Sequence, residues 1–188
     1  ALRFIEENQT RPFFLYLPYT IPHAEVQVPE DSLVPYLSLL GDPERPPIAK
    51  PYGLKGYNEA RYPRAARAGM ISRMDRDIGR IRSRLAELGL DRDTLIVFTS
   101  DNGPATAGGQ DVAFFQSAGG LRGLKRSLYE GGIRMPTIAC WPGRIPGGGE
   151  SAAVSISWDW LPTFAQAAGA AVAEPVDGCS LLDHITAG

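Results

Sequence analysis

The chain has 188 residues, the length of one ordinary domain, and is 44% hydrophobic and 21% charged, so it can bury a core instead of staying disordered. A net charge of −2, from 19 Lys and Arg against 21 Asp and Glu with no basic stripe, excludes a binder of the nucleic-acid backbone. No apolar run approaches the ~18 residues of a membrane span, and two cysteines, Cys140 and Cys179, make neither a disulfide framework nor a cysteine-rich zinc site.

The elements alternate along the chain. Ala1 to Asn8 reads as the end of an amphipathic helix already under way. Phe13-Phe14-Leu15-Tyr16-Leu17, bounded by Pro12 and Pro18, reads as a strand buried on both faces. Residues 24–62 carry Pro29, Pro35, Pro43, Pro46, Pro47 and Pro51, a spacing that predicts an irregular surface excursion. Met70, Ile71, Met74, Ile78, Ile81, Leu85 and Leu88 then recur at helical steps, with Gly89 as the stop. Leu95 to Thr99 and Thr137 to Trp141 read as two further buried strands. A helix follows with Phe164, Ala165, Ala167 and Ala168, ending near Gly169. The order predicts an α/β fold with a mostly parallel sheet sandwiched by helices. The last stretch, Leu181 to Ile185, is again a helical fragment. Domains begin and end at linkers, so a chain opening and closing inside periodic elements reads as a piece of a longer protein.

Ligands of open parallel sheets bind beyond the carboxyl ends of the strands, and three polar groups fall there. Asp101-Asn102-Gly103 follows the run 95–99. Its adjacent carboxylate and carboxamide oxygens suit a hard divalent cation, although the same residues also make ordinary turns. His23 lies past the run 13–17, in a loop stiffened by Pro18 and Pro22. It suits an anion contact or an acid role, or a structural place. Lys125 lies in the glycine-rich Gly119 to Arg126, followed by Tyr129 to Arg134. Such a loop approaches a tetrahedral anion closely, or is simply solvated. The spacing is not that of a phosphate-binding P-loop. His184 has no partner in sequence and no assigned role.

Pro12-Phe13-Phe14-Leu15-Tyr16-Leu17 through Pro22-His23, Asp101-Asn102-Gly103, Leu121-Arg122-Gly123-Leu124-Lys125 and Tyr129-Glu130-Gly131-Gly132-Ile133-Arg134 resemble, in order and spacing, the type I (arylsulfatase-like) sulfatases of the alkaline phosphatase superfamily. Met74 to Arg80, Asp159 with Pro162-Thr163, and Asp177-Gly178 with Ser180-Leu181 extend the resemblance over nearly the whole chain. It implies an alkaline-phosphatase-like domain of which residues 1–188 are the later part. It also implies hydrolysis of a small-molecule or carbohydrate sulfate ester and an extracytoplasmic location. By the same resemblance, Asp101 and Asn102 would ligate calcium (magnesium in some relatives). Lys125 would bind the sulfate oxygens, and His23 would contact the sulfate or the leaving oxygen. Glu130 and Arg134 are expected to form a structural ion pair, and Asp75 and Arg76 to be helix-surface or packing groups. Residues 24–62 and 104–118 are expected to shape the mouth of the pocket.

The resemblance departs at one point. The family's nucleophile, a formylglycine made from Cys or Ser in a Cys/Ser-x-Pro/Ala-x-Arg motif, precedes every motif found here. So do the paired aspartates of its metal site. Cys140-Trp141-Pro142-Gly143-Arg144 fits the pattern literally but ends a strand instead of opening a helix, so Cys140 is expected to be an inert strand residue. No nucleophile is expected in this chain, and the 188 residues alone are expected to be inactive. A phosphatase, phosphonate hydrolase or phosphotransferase of the same superfamily, or a non-catalytic sulfatase-like module, are the alternative readings.

Overall fold

The structure, a computed structural model, describes residues 1–42, 56–58 and 60–187. The helices are α1 (Leu2–Glu7), α2 (Glu30–Leu37), α3 (Pro63–Glu87), α4 (Glu130–Ile133), α5 (Trp160–Ala167) and α6 (Leu182–Thr186), and the strands are β1 (Ile96–Phe98) and β2 (Ile138–Cys140). None of the described helices is long and apolar enough to cross a membrane. The chain divides into two compact units. The first holds residues 1–15, 82–101 and 136–188, and the second holds residues 16–81 and 102–135.

In the first unit β1 and β2 pair antiparallel, with Ile96 opposite Cys140, Val97 opposite Ala139 and Phe98 opposite Ile138. Both expected strands are therefore present, shortened to three residues each, and their pairing differs from the mostly parallel sheet expected. The run 13–17 forms no strand; Phe14 and Tyr16 are 67% and 75% exposed, against an expectation of burial on both faces. Among the described residues nothing pairs with this run as a strand, so alternate side chains remain open. Its aromatics still pack: Phe13 lies edge-on to Phe4 at 5.9 Å, and Phe14 lies 5.5 Å from Phe164 of α5.

The segments between Asp159 and Leu181 are structural fasteners of this unit. Buried Asp159 accepts the Ile156 and Cys179 amides, both at 2.9 Å. Thr163 Oγ1 donates to the Asp159 carbonyl and accepts the Leu181 amide. A methyl group on Gly178 would overlap the Trp158 carbonyl, so only glycine allows that approach. The helix end near Gly169 is as expected: Gly169 takes φ +65°, and Ala170 N donates to Ala165 O as the chain leaves α5. His184 Nε2 lies 2.6 Å from Ser151 Oγ at the surface.

The second unit is built on α3, whose last turns, from Arg82, belong to the first. The helix starts at Pro63, seven residues before the first periodic apolar position. Proline is at ease there because its missing N–H is an orphan at a helix start anyway. Asp42 supplies the cap, accepting the Arg64 amide on Oδ1 at 3.0 Å and the Ala65 amide on Oδ2 at 2.7 Å. At the other end Gly89, at φ +68°, reverses the chain, and Leu90 N donates to Leu85 O.

Met70 and Ala66 of α3 pack with Val26 into a small buried core, flanked by Ile21, Val28, Leu33 and Ala60. Helix α2 interrupts the stretch expected to be irregular and contains Pro35. It approaches α3 so closely that a side chain on Gly69 would overlap the Ser32 carbonyl. Tyr36 OH meets Ser72 Oγ at 2.5 Å, and Arg73 reaches Asp31 at 3.0 Å. Much of the remainder of the expected excursion lies outside the described residues.

Candidate functional site

Asp101 and Asn102 lie three and four residues past the end of β1; Asp101 ends a segment of the first unit, and Asn102 begins a segment of the second. Asp101 is exposed and Asn102 half-buried, with Nδ2 donating to the Gly103 carbonyl at 2.9 Å. That bond fixes the roll of the amide and assigns Nδ2 as the nitrogen.

The next residues are locked chiefly by backbone. Gly103 N donates to Gly132 O at 2.9 Å, Lys125 N to Pro104 O at 2.8 Å, and Gly131 N to Arg122 O at 2.7 Å. Buried Gly103, Gly131 and Gly132 let the strands of this knot touch. A methyl on Gly103 would overlap the Gly131 carbonyl, one on Gly131 the Gly123 carbonyl, and one on Gly132 the Ser127 carbonyl. The Asp-Asn-Gly and Glu-Gly-Gly motifs thus need glycine for backbone contact. Through this knot Asn102 and Lys125 come to one part of the fold.

Lys125 is half-buried and forms the first corner of a turn closed by Ser127 N to Leu124 O at 2.9 Å. The second corner, Arg126, has φ +76°, a conformation that costs an ordinary side chain about 1–2 kcal/mol. Arg122 stacks on Tyr129, with its guanidinium carbon 3.7 Å from the ring centroid. The expected Glu130–Arg134 pair forms at 3.4 Å on the surface of α4.

His23 is exposed, in a turn closed by its amide donating to Thr20 O at 3.0 Å. Its Nδ1 lies 2.5 Å from the Ala24 carbonyl. A carbonyl only accepts, so Nδ1 carries the hydrogen and Nε2 is the atom left for a ligand. Three residues outside the sequence motifs surround this turn. Tyr57 sets its ring edge-on to the imidazole at 5.6 Å, and neighbouring Asn58 donates from its amide and Nδ2 to Glu25, at 3.2 and 2.9 Å. Buried Gln110 donates from Nε2 to Pro22 O at 3.1 Å. Tyr57 sits in a proline-rich stretch and Gln110 after a Gly-Gly pair, and neither carries a periodic or motif signal.

Among the described residues no group of three or more His, Cys, Asp or Glu is placed to hold a metal ion. The oxygen donors of Asp101 and Asn102 suit calcium or magnesium by type, while a calcium site takes about 6–8 oxygens. Two residues can therefore be only part of such a site. Cys140 is half-buried as the last residue of β2, Cys179 is exposed, and both are free thiols.

The profile of the Sulfatase family matches residues 1–170. The chain is 33% identical over 197 aligned positions to N-acetylgalactosamine-6-sulfatase of Canis lupus familiaris, covering 100% of this chain and 31% of that protein. It is 41% identical over 105 positions to arylsulfatase A of Homo sapiens, covering 53% of this chain and 19% of that one. Among solved structures, Ps i-CgsB in complex with k-i-k-neocarrahexaose superposes with a TM-score of 0.74 at 29% identity, over 96% of this chain and 35% of that chain. The 188 residues thus span about a third of the relatives they match over their whole length. Matched by one family profile over most of its length, this chain belongs to the sulfatase family.

Proposed function

We propose that the polypeptide carrying this chain is a sulfuric ester hydrolase acting on a sulfated carbohydrate, and that residues 1–188 are the later part of its catalytic domain. The observation that carries the reading is the glycine-locked knot that brings Asn102 and Lys125 together. The sugar preference draws support from the relatives, one named for N-acetylgalactosamine-6-sulfate chemistry and one crystallised with a neocarrahexaose. An extracytoplasmic location goes with that family resemblance.

Cleaving a sulfate ester breaks the S–O bond to the leaving group and places charge on the bridging oxygen. The Lys125 ammonium binds the non-bridging oxygens and offsets the charge they carry. His23, with Nδ1 committed to Ala24 O, presents Nε2 to the sulfate or the leaving oxygen, where its protonated form donates. Asp101 and Asn102 contribute two oxygen ligands to a calcium or magnesium ion, which supplies Lewis acidity toward the sulfate when bound. The nucleophile, a formylglycine, and the remaining ligands come from elsewhere in the polypeptide. The exposed Phe14, Tyr16 and Ile138 then become contact positions for further strands of a parallel, alkaline-phosphatase-like sheet.

The test is turnover of a sulfated monosaccharide and of the corresponding phosphate ester by the full-length protein, beside the isolated 188 residues. Sulfate hydrolysis by the full-length protein and none by the isolated segment is the expected result. Turnover of the phosphate ester alone, or robust turnover by the segment, overturns the reading.

A further inference from the structure

We propose that Gln110 is a positioning residue for His23: the segment between Asn102 and Lys125, acting through one carboxamide, sets where the imidazole stands. The inference rests on the role given to His23 above.

Among the described residues, His23 itself bonds near neighbours, His23 N to Thr20 O and Nδ1 to Ala24 O, and these fix the shape of its turn but not its place. Its place is set from outside, by the Glu25–Asn58 contact on one side and by Gln110 on the other. Gln110 is 7% exposed, and its Nε2 donates to the carbonyl of Pro22, the residue before His23 and 88 positions away in the chain. Just before it, Gly108 takes φ +71° and lies so near the turn that an added Cβ would stand 2.9 Å from Ala24 Cβ. The carboxamide therefore sits at a close contact between two loops, where a lost hydrogen bond is not replaced readily by water.

Gln110 is itself held firmly. The next residue, Asp111, takes Arg64 Nε and Nη2 on Oδ2 at 3.0 and 2.8 Å, and its Oδ1 accepts the Phe114 amide at 3.0 Å. Arg64 also stacks on the Phe114 ring, 3.9 Å from its centroid, and its Nη1 reaches the Leu40 and Gly41 carbonyls. Arg64 leaves from the first turn of α3, so the anchor is a helix and not another loop. The same segment ends in the knot carrying Asn102 and Lys125. One stretch of chain thus fixes both the anion-binding lysine and the height of the imidazole.

A double-mutant cycle on the full-length protein tests this, with kcat on a sulfated monosaccharide and calcium affinity as readouts. Gln110→Ala is expected to lower kcat by about tenfold to 10²-fold, the scale of a misplaced catalytic group, with calcium affinity unchanged. In the His23→Ala background the same change is expected to add nothing, because there is no imidazole left to misplace. Gln110→Glu keeps the shape and removes the donor, so it reports the same coupling where the alanine variant folds poorly. Losses that multiply in the double variant, or a Gln110→Glu protein with unchanged kcat, overturn the inference while leaving the site reading intact. A His23→Ala protein with full turnover overturns the site reading and this inference with it.

Discussion

The two loops of the second unit that carry candidate residues are held in opposite ways. Around Asn102 and Lys125 the long-range contacts described above are backbone to backbone, and those at Gly103, Gly131 and Gly132 lie at distances only glycine permits. Around His23 the long-range contacts described above all involve side chains, those of Gln110, Glu25, Asn58 and Tyr57. A backbone lock fixes geometry without regard to the surrounding residues and tolerates no added atom. A side-chain lock can be changed residue by residue without loss of the fold. The loop of Asn102 and Lys125 is thus the stiffer of the two, and the His23 loop is the adjustable one.

The sharpest way to break the comparison is to add a methyl group. Gly103→Ala forces its Cβ into the Gly131 carbonyl and is expected to cost about 3 kcal/mol or more, read as a lowered thermal unfolding midpoint. Gly79→Ala, on the exposed face of α3 with nothing within 4 Å of the added carbon, is expected to stabilise by roughly 0.5–1 kcal/mol in the same assay. If both changes are neutral, the knot is not closely packed.

Next in size is the metal. Asp101→Ala in the full-length protein is expected to weaken calcium binding by at least about tenfold in a calorimetric titration, since ligand charge sets affinity at such sites. Stripping the ion with a chelator is expected to abolish turnover in the parent and restore it on readdition.

On the adjustable side the effects are smaller. Tyr57→Ala removes the ring beside His23 and is expected to raise KM by a few-fold while leaving calcium affinity alone. An equal loss of calcium affinity shows that the two sides are not separable in the way described.

The smallest effect is electrostatic and lies away from the site. The Ser32 hydroxyl, then the Arg73 guanidinium, hold the exposed Asp31 carboxyl below its usual range. A depressed carboxylate contributes above its unfolded pKa and loses that contribution as pH falls through the lower folded value. Asp31→Asn is therefore expected to lower the unfolding midpoint slightly at neutral pH, with the gap closing toward pH values below the ordinary carboxylate range. A gap that widens in acid contradicts the assignment.

What could be read from sequence follows from how local each signal is. Helix α3 is legible because six apolar side chains, Met70 to Leu85, repeat along it. Its first turn is not, because residues 63–69 lack that period and the cap comes from Asp42, some twenty residues away. Helix α2 hid behind Pro29 and Pro35, and its place is set by contact with Gly69 of α3. The run 13–17 looked like a buried strand by composition, yet composition does not supply the neighbouring strands that burial requires. Asp101, Asn102, Lys125 and His23 were marked by motif order. Gln110 and Tyr57 escaped because their partners lie 88 and 34 positions away, and such contacts leave no trace in spacing.

The most direct test of the central claim is kcat/KM of full-length Lys125→Ala on a sulfated monosaccharide. The account predicts a loss of about 10²–10³-fold with the fold and the calcium affinity retained, as expected for removing one charge that stabilises the transition state. A Lys125→Ala enzyme indistinguishable from its parent would contradict it.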